Sequence, residues 1–435
     1  MTVGSAVHII PAGPLSGTLA APASKSVTNR LLVLAALATG ESVLRGPLDS
    51  DDAQAMRGLV ATLGVPVRSE GDRWRVTGAG GSFHPDAAHA DARLSGTTMR
   101  FGAALATLAD RPLTVTGQPP LLRRPIGPLT GALRSLGADV ADTGGFPPVR
   151  CAGGGLAGGR VDVDAHASSQ YVSAVLLVAP CAAADTSVRA VGLSAPAYVD
   201  LTVAAMADFG AEVERRGAGH WAVRSGGYAA RTRAVEYDAS AACHLYSLAA
   251  ATGGSVTVTN ASPTSLQPDA AFPAVLARMG VVVEAAGAQV TVTGPDALRP
   301  VDVDLAGMPD QVTSLAVLAA LADGRSRIRG VAVARGHETD RIAALARELR
   351  KVGVGVEERP DGLVIDGGGA RGPARLATYD DHRLAMAFAA LGAAVADVAI
   401  DDPGCVAKTY PRFWDDARAL GLVWEDAPAA GTVPS

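Results

Sequence analysis

Ser24-Lys-Ser-Val-Thr-Asn-Arg30 runs without a break into Leu31-Leu-Val-Leu-Ala-Ala-Leu-Ala38, so a polar, cationic opening leads a stretch with no polar side chain. That stretch is made of strong helix formers, and a helix apolar on all sides must be covered on all sides. Thr39-Gly40 stops it, and Ser42-Val-Leu-Arg45 reads as a short strand. Asp49-Ser-Asp-Asp52 then opens a second, amphipathic helix that closes at Leu63-Gly64. Residues 65–68 and 73–76 read as two strands about the turn Glu70-Gly-Asp72.

The same phrase returns along the chain. An apolar residue followed by glycine stands at Leu63-Gly64, Leu136-Gly137, Phe209-Gly210, Met279-Gly280, Val352-Gly353 and Leu420-Gly421, the glycines 73, 73, 70, 73 and 68 residues apart. Polar helix openings at Ser24, Ser95, Ser168, Ser240, Asp310 and Asp381 keep step with them, 71, 73, 72, 70 and 71 apart. Later copies of the apolar helix are expected over 99–109, 171–183, 243–251, 312–322 and 384–395, each followed by a strand. Self-similarity at a fixed period marks one supersecondary unit used repeatedly, and alternation of helix with strand makes the class α/β. The expected architecture is a two-domain inside-out α/β barrel built from six β-α-β-α-β-β units, three per domain. The apolar helices lie inside, wrapped by their own sheets and amphipathic helices.

With 435 residues the chain can bury more than one core. It is 48% apolar and 19% charged, and its net charge of −5 gives no support to a nucleic-acid or membrane-surface role. Cys151, Cys181, Cys243 and Cys405 lie far apart without a CxxC pair, as expected of thiols in a reducing compartment and not of a disulfide frame or a metal site. No Lys or Arg precedes Lys25, so a signal peptide would lack its basic start. The longest apolar stretch, 172–184, is broken by Ser173 and Pro180 and is too short for a bilayer. A cytoplasmic, monomeric protein with no metal and no cofactor is expected.

Repeated helix starts have an electrical consequence. Parallel helices present unsatisfied N–H groups and partial positive charge on one face, and two such domains facing each other form an anion-attracting cleft. Ser24-Lys25-Ser26 with Arg30, Ser95-Gly96-Thr97-Thr98 with Arg100, Ser168-Ser169-Gln170, Asp310, and Asp381-His382-Arg383 stand at these starts. The loops before the amphipathic helices add Arg124, Ser194, Tyr198, Glu338-Thr-Asp-Arg341 and Lys408. Lys25, Arg30, Arg100, Arg124, Arg341, Arg383 and Lys408 are more cations than one phosphate requires, and two polyanionic ligands would use them. The plain alternative is ordinary N-capping, which favours Ser, Thr and Asp at the same positions. Asp310 and Glu338 read equally as salt-bridge partners or as acid–base groups, and Glu338 with Arg341 as a surface i,i+3 pair. No Walker loop, GxSxG elbow or His/Cys metal cluster is present.

Seven segments carry a resemblance. Ser24-Lys-Ser-Val-Thr-Asn-Arg30, Gly96-Thr-Thr-Met-Arg100, Arg124-Pro-Ile126, Ser168-Ser-Gln170, Glu338-Thr-Asp-Arg341, Asp381-His-Arg383 and Ala407-Lys-Thr409 resemble, in order and between Ile10 and Leu422, the 5-enolpyruvylshikimate-3-phosphate synthases among the enolpyruvyl transferases. The resemblance implies a first domain over 16–234 and a second over 1–15 with 235–425; the Ala/Gly/Pro-rich stretch 426–435 reads from its composition as a flexible tail. It implies a glyphosate target of the shikimate pathway, transferring the enolpyruvyl group of phosphoenolpyruvate to the 5-hydroxyl of shikimate 3-phosphate through a tetrahedral intermediate. Carried over by motif, Lys25, Ser26, Arg30, Ser168, Ser169, Gln170, Ser194, Asp310 and His337 hold shikimate 3-phosphate. Lys25, Gly96, Arg124, Gln170, Arg341, Arg383 and Lys408 hold phosphoenolpyruvate. Lys25, Asp310 and Glu338 are the implied catalytic groups, Asp310 toward the 5-hydroxyl and Glu338 toward C3.

Some positions depart from the family pattern. His337 stands in place of a common Lys, Leu94-Ser95 in place of Asn-Ala, Phe101 in place of Pro and Val333 in place of Asn. Ser194-Ala-Pro-Ala-Tyr198 carries an extra residue. These changes gather on the acceptor side, so a transferase for another phosphorylated alcohol is the close alternative. An RNA 3′-phosphate cyclase would show fewer copies and a more basic surface, and a catalytically dead binding protein would not need Lys25, Asp310 and Glu338.

Overall fold

The computed structural model describes residues 5–428. The chain divides into two compact units, one of Ala23–Glu236 and the other of residues 5–22 with 237–428. Each is built around three buried helices. In the first unit these are Lys25–Leu37, Gly96–Ala106 and Gln170–Val178; in the second, Ala239–Thr252, Val312–Leu321 and His382–Ala394. Every residue from Val27 to Leu37 is buried, as are all of Gly96–Ala106 and His382–Ala393. An Ala/Leu/Val surface with no polar stripe leaves no side to face water, so neighbouring helices and a sheet must cover it.

Each buried helix belongs to one sheet of the same design. In the copy that contains Gly96–Ala106, His89–Asp91 lies parallel to Leu113–Thr116, which pairs antiparallel with Phe146–Cys151, itself antiparallel to Val140–Thr143. Six sheets follow this order, and among the described residues they remain separate instead of joining into one closed barrel. Three copies borrow a strand from a distant part of the chain. Tyr228–Ala229 and Thr232–Ala234 lie parallel to Ala38–Arg45, and Gly17–Leu19 lies parallel to Ser255–Val258. Ala6–Ile10 sits antiparallel between Val398–Asp401 and Val423–Asp426. Val423–Asp426 takes in the first residue of the expected tail, and 429–435 lie outside the described residues.

The glycine ladder has one physical cause. All six glycines that follow the outer helices take φ between +81° and +104°. In each copy the residue after the glycine donates five residues back, as from Val65 N to the Val60 carbonyl at 3.2 Å and from Leu422 N to Ala417 at 3.0 Å. The glycine N–H itself donates to the carbonyl three residues back. This is the Schellman termination, and its left-handed residue excludes a Cβ cheaply only when it is glycine.

Helix starts differ from expectation at three of six positions. Ser24, Ser95 and Asp381 cap their helices as read; in the third helix Ser169 occupies the cap position without a side-chain bond, and the fourth is capped from Asp238, whose Oδ1 accepts from Ala241 N at 2.9 Å. Ser240 lies inside the fourth helix. Asp310 sits in a 3-10 turn, Pro309–Gln311, ahead of the fifth. The third helix stops at Val178, earlier than expected, because Pro180 cannot donate and a 3-10 turn, Ala179–Cys181, follows.

Candidate functional site

In the unit Ala23–Glu236, the starts of the three buried helices gather basic side chains. Ser24 Oγ accepts from Val27 N, which places Lys25 in the first turn. Lys25 Nζ lies 3.1 Å from Asp52 Oδ2, a carboxylate that is 4% exposed. Arg30 is buried further along the same helix. Its Nε donates to Thr202 Oγ1 at 2.8 Å, Nη1 to the Ser26 carbonyl at 3.0 Å and Nη2 to the Tyr198 carbonyl at 3.2 Å. The guanidinium also lies 5.6 Å from the centre of the Phe101 ring. Burial pulls its pKa down to about 10, which leaves it cationic at neutral pH. Arg30 is thus mainly a pin between two repeats, presenting less surface than its place in the motif implies.

Gly96 opens the second buried helix beneath two arginines. A Cβ there would stand 2.8 Å from Arg124 Nη1 and 3.2 Å from Arg100 Nη1, so glycine is what lets both guanidinium groups approach the helix N-terminus. Arg100 Nη1 donates to Gln170 Oε1 at 2.7 Å and lies over the Tyr171 ring at 5.2 Å. The Tyr171 hydroxyl donates to the Pro125 carbonyl at 2.6 Å and anchors the loop that carries Arg124. Ser168 Oγ accepts from Gln170 N at 3.2 Å, and Ser169 is buried. Ser194 Oγ donates to the Ala165 carbonyl at 3.0 Å. The neighbouring Ala195 takes φ +48°, a left-handed corner in the segment where the extra residue was counted. Lys25, Arg30, Arg100 and Arg124 with Asp52 form a cluster of net positive charge.

In the other unit, cations and carboxylates interlock. Arg341, 1% exposed, donates from Nη1 to Asp310 Oδ1 at 2.8 Å, from Nη2 to Glu338 Oε2 at 2.9 Å and from Nε to Asp381 Oδ2 at 2.7 Å. Arg383 Nη2 donates to Asp310 Oδ2 at 3.0 Å, and Lys408 Nζ lies 3.2 Å from Glu338 Oε1. His337 Nδ1 stands 3.1 Å from Arg341 Nη1 and 3.2 Å from Asp310 Oδ1. Burial raises the Asp310 pKa, but Arg383, the His337 hydrogen bond and Arg341 outweigh it and hold the carboxyl well below its usual range. Asp269 lies deeper, bonded by the Ser240 hydroxyl, and burial pushes it up to about 6 despite Arg383.

The capping reading holds at Ser24, Ser95 and Asp381, which accept from Val27, Thr98 and Arg383 N. Within one unit Arg100 and Arg124 flank Gly96, and within the other Arg341 and Arg383 share Asp310. Glu338 and Arg341 form their i,i+3 pair, but in the interior and with Lys408 and Asp310 attached. Sequence reading missed Asp52, taken only as part of a helix-opening loop, and Asp381 as the anchor of Arg341. It also missed Asp269 and the buried His244, whose Nδ1 lies 3.2 Å from Ser314 Oγ. Nothing in the local sequence distinguishes these from ordinary polar residues. Among the described residues, no group of three or more His, Cys, Asp or Glu is placed to hold a metal ion.

Comparison with known proteins bears on this arrangement. The family model described as EPSP synthase (3-phosphoshikimate 1-carboxyvinyltransferase) matches residues 9–417. The chain is 42% identical to the 3-phosphoshikimate 1-carboxyvinyltransferase of Methanoculleus marisnigri over 96% of its own length and 100% of the relative's. It is likewise 42% identical to that of Syntrophobacter fumaroxidans over 95% of its length and 99% of the relative's. Among solved structures, EPSP synthase from Acinetobacter baumannii superposes with a TM-score of 0.80 at 26% identity, covering 97% of this chain and 99% of that one.

Proposed function

Because the chain belongs to the EPSP synthase family, the 3-phosphoshikimate 1-carboxyvinyltransferases, we propose that its two clusters of cations divide between them the anionic groups of that reaction. The enzyme moves the enolpyruvyl group of phosphoenolpyruvate to the 5-hydroxyl of shikimate 3-phosphate and releases phosphate, within the shikimate pathway. The Methanoculleus marisnigri and Syntrophobacter fumaroxidans relatives, each at 42% identity, both carry this name, which favours shikimate 3-phosphate over another phosphorylated alcohol. Glyphosate is an inhibitor of this family, and Gly96 keeps open the space beneath Arg124.

In our reading, Lys25, Gly96, Arg124, Gln170, Arg341, Arg383 and Lys408 hold phosphoenolpyruvate. Lys25, Ser26, Arg30, Ser168, Ser169, Gln170, Ser194, Asp310 and His337 hold shikimate 3-phosphate. The observation that carries the reading is Asp310 bonded to both Arg341 and Arg383, with Glu338 set between Arg341 and Lys408. Three cations rest on three carboxylates, Asp310, Glu338 and Asp381. A substrate carboxylate or phosphate arriving at Arg341 and Arg383 competes with Asp310 for them. As Asp310 loses these partners its proton affinity rises, which suits it to take the 5-hydroxyl proton while the oxygen bonds to C2. Glu338, protonated when the substrates have bound, gives its proton to C3 in the addition step and recovers it as phosphate leaves, and the 5-hydroxyl proton held at Asp310 passes to the departing phosphate. Fixed guanidinium and ammonium groups stabilise the charge that develops, with little reorganisation.

Phosphate release should require both phosphoenolpyruvate and shikimate 3-phosphate and should proceed without added metal. Release with the donor and only some other alcohol would overturn the acceptor assignment. No helix among the described residues is long and apolar enough to cross a membrane. We place the enzyme in the cytoplasm as a monomer that does not bind nucleic acid; sedimentation at assay concentration tests the monomer.

A further inference from the structure

The outer helix Arg341–Lys351 carries a second buried charge that the reaction does not use. Glu348 follows Arg341 by seven residues, so both project from one face about two turns apart. Glu348 is wholly buried, as Arg341 nearly is. Arg341 grips Asp381 with Nε and Nη2 at 2.7 and 3.2 Å. Glu348 grips the chain just before it: Oε1 accepts from the Tyr379 hydroxyl at 2.6 Å, and Oε2 accepts from Ala377 N at 2.9 Å and from Lys351 Nζ at 2.5 Å. Arg347 adds a hydrogen bond to the Tyr379 hydroxyl at 3.1 Å and lies 5.7 Å from the ring centre.

Between these two grips the backbone is strained. Tyr379 and Asp380 take φ +55° and +57°, consecutive left-handed residues of which neither is glycine. Such a pair persists only where its surroundings over-determine it. The turn it makes delivers Asp381 to the start of the sixth buried helix, where Oδ1 accepts from Arg383 N at 2.9 Å. It also brings the Arg383 guanidinium to Asp310. One helix face therefore holds the corner at both ends, and Arg341 and Arg383 take their places from it.

We infer that Glu348 and Tyr379 are positioning residues for the enolpyruvyl donor, pinning the strained corner 379–380 so that Asp381 holds Arg341 and Arg383 in register. The inference rests on the proposed role of those two arginines toward phosphoenolpyruvate. Neither Glu348 nor Tyr379 touches the substrate in this account.

Tyr379→Phe removes one hydroxyl and keeps the ring, and Glu348→Gln removes the buried charge. Steady-state rates with each substrate varied in turn should show KM for phosphoenolpyruvate raised about tenfold in either variant. KM for shikimate 3-phosphate should stay within about twofold and kcat within about threefold. A purely structural role would lower melting temperature and the yield of active enzyme without separating the two KM values. Equal rises in both, or no rise for the donor, overturn the inference. If Glu348→Gln does not accumulate folded, Tyr379→Phe decides alone. A wild-type enzyme that releases no phosphate from this substrate pair refutes the functional reading instead. The clamp is then judged by hydrogen exchange: Tyr379→Phe must speed the amides of residues 377–384 about tenfold relative to those of Lys25–Leu37, and unchanged exchange refutes it.

Discussion

Lys25 shows how a single residue can be legible in one role and hidden in another. Its place at a helix start among hydroxyls was readable, but its pairing with the buried Asp52 was not, because the partner lies on another element. Lys25→Ala should abolish turnover, and it should also cost about 2 kcal/mol by leaving Asp52 buried without its cation. Adding Asp52→Asn should restore urea stability but not activity; a double variant as unstable as the single would deny the pair its structural part. Asp269 makes a pH prediction. Burial lifts its folded pKa to about 6, above the unfolded carboxylate value, so the folded state holds the proton more tightly. Its contribution is full at low pH and is lost as pH rises through about 6. Asp310 has the opposite sign: its depressed pKa contributes stability that is lost as pH falls below the usual carboxylate range. Asp269→Asn should therefore flatten the fall in melting temperature between about pH 4 and 6 and leave the acid limb to Asp310. An unchanged slope in that interval would show that Asp269 is not the group responsible.

Among the elements, the outer helices were the most legible, because a Schellman ending writes its own signature: an apolar residue and then a glycine that no other residue replaces cheaply. The cost of replacement should differ by position. At Gly421 a Cβ meets nothing nearer than Leu15 Cδ2 at 3.5 Å, so Gly421→Ala should cost only the left-handed strain, about 1–2 kcal/mol. At Gly64 a Cβ would stand 2.5 Å from the His84 carbonyl oxygen, so Gly64→Ala should cost more, about 3 kcal/mol, since backbone must move as well. Urea midpoints at constant slope check the order, and equal losses would contradict it. The buried helices were legible in number and character but less so at their starts. Ser240 was read as the fourth opening, whereas Asp238, a good cap two residues earlier, is the one that accepts from Ala241 N. Asp310 had the composition of a cap while its carboxylate was committed to two arginines.

At the scale of the molecule, repetition accounts for most of what was readable. Hydrophobic period, helix stops and the spacing of glycines are local properties repeated six times, so sequence alone determined the α/β class, the repeat count and the gathering of cations at helix starts. It did not determine that Ala6–Ile10 would complete the sixth repeat or that Gly17–Leu19 would begin the fourth, because strand pairing across hundreds of residues leaves no periodic trace. Nor could it tell which carboxylate would face which guanidinium. Asp310, Asp381 and Arg341 meet over separations of 31 and 40 residues, and Asp310 reaches Arg383 over 73. Those distances close only when the helices pack. Which polar groups are buried together, and hence their charge states and the strain at Tyr379 and Asp380, was decided by tertiary structure. The physical reason is that desolvation and Coulomb attraction depend on neighbours in space, whereas periodicity depends only on neighbours along the chain.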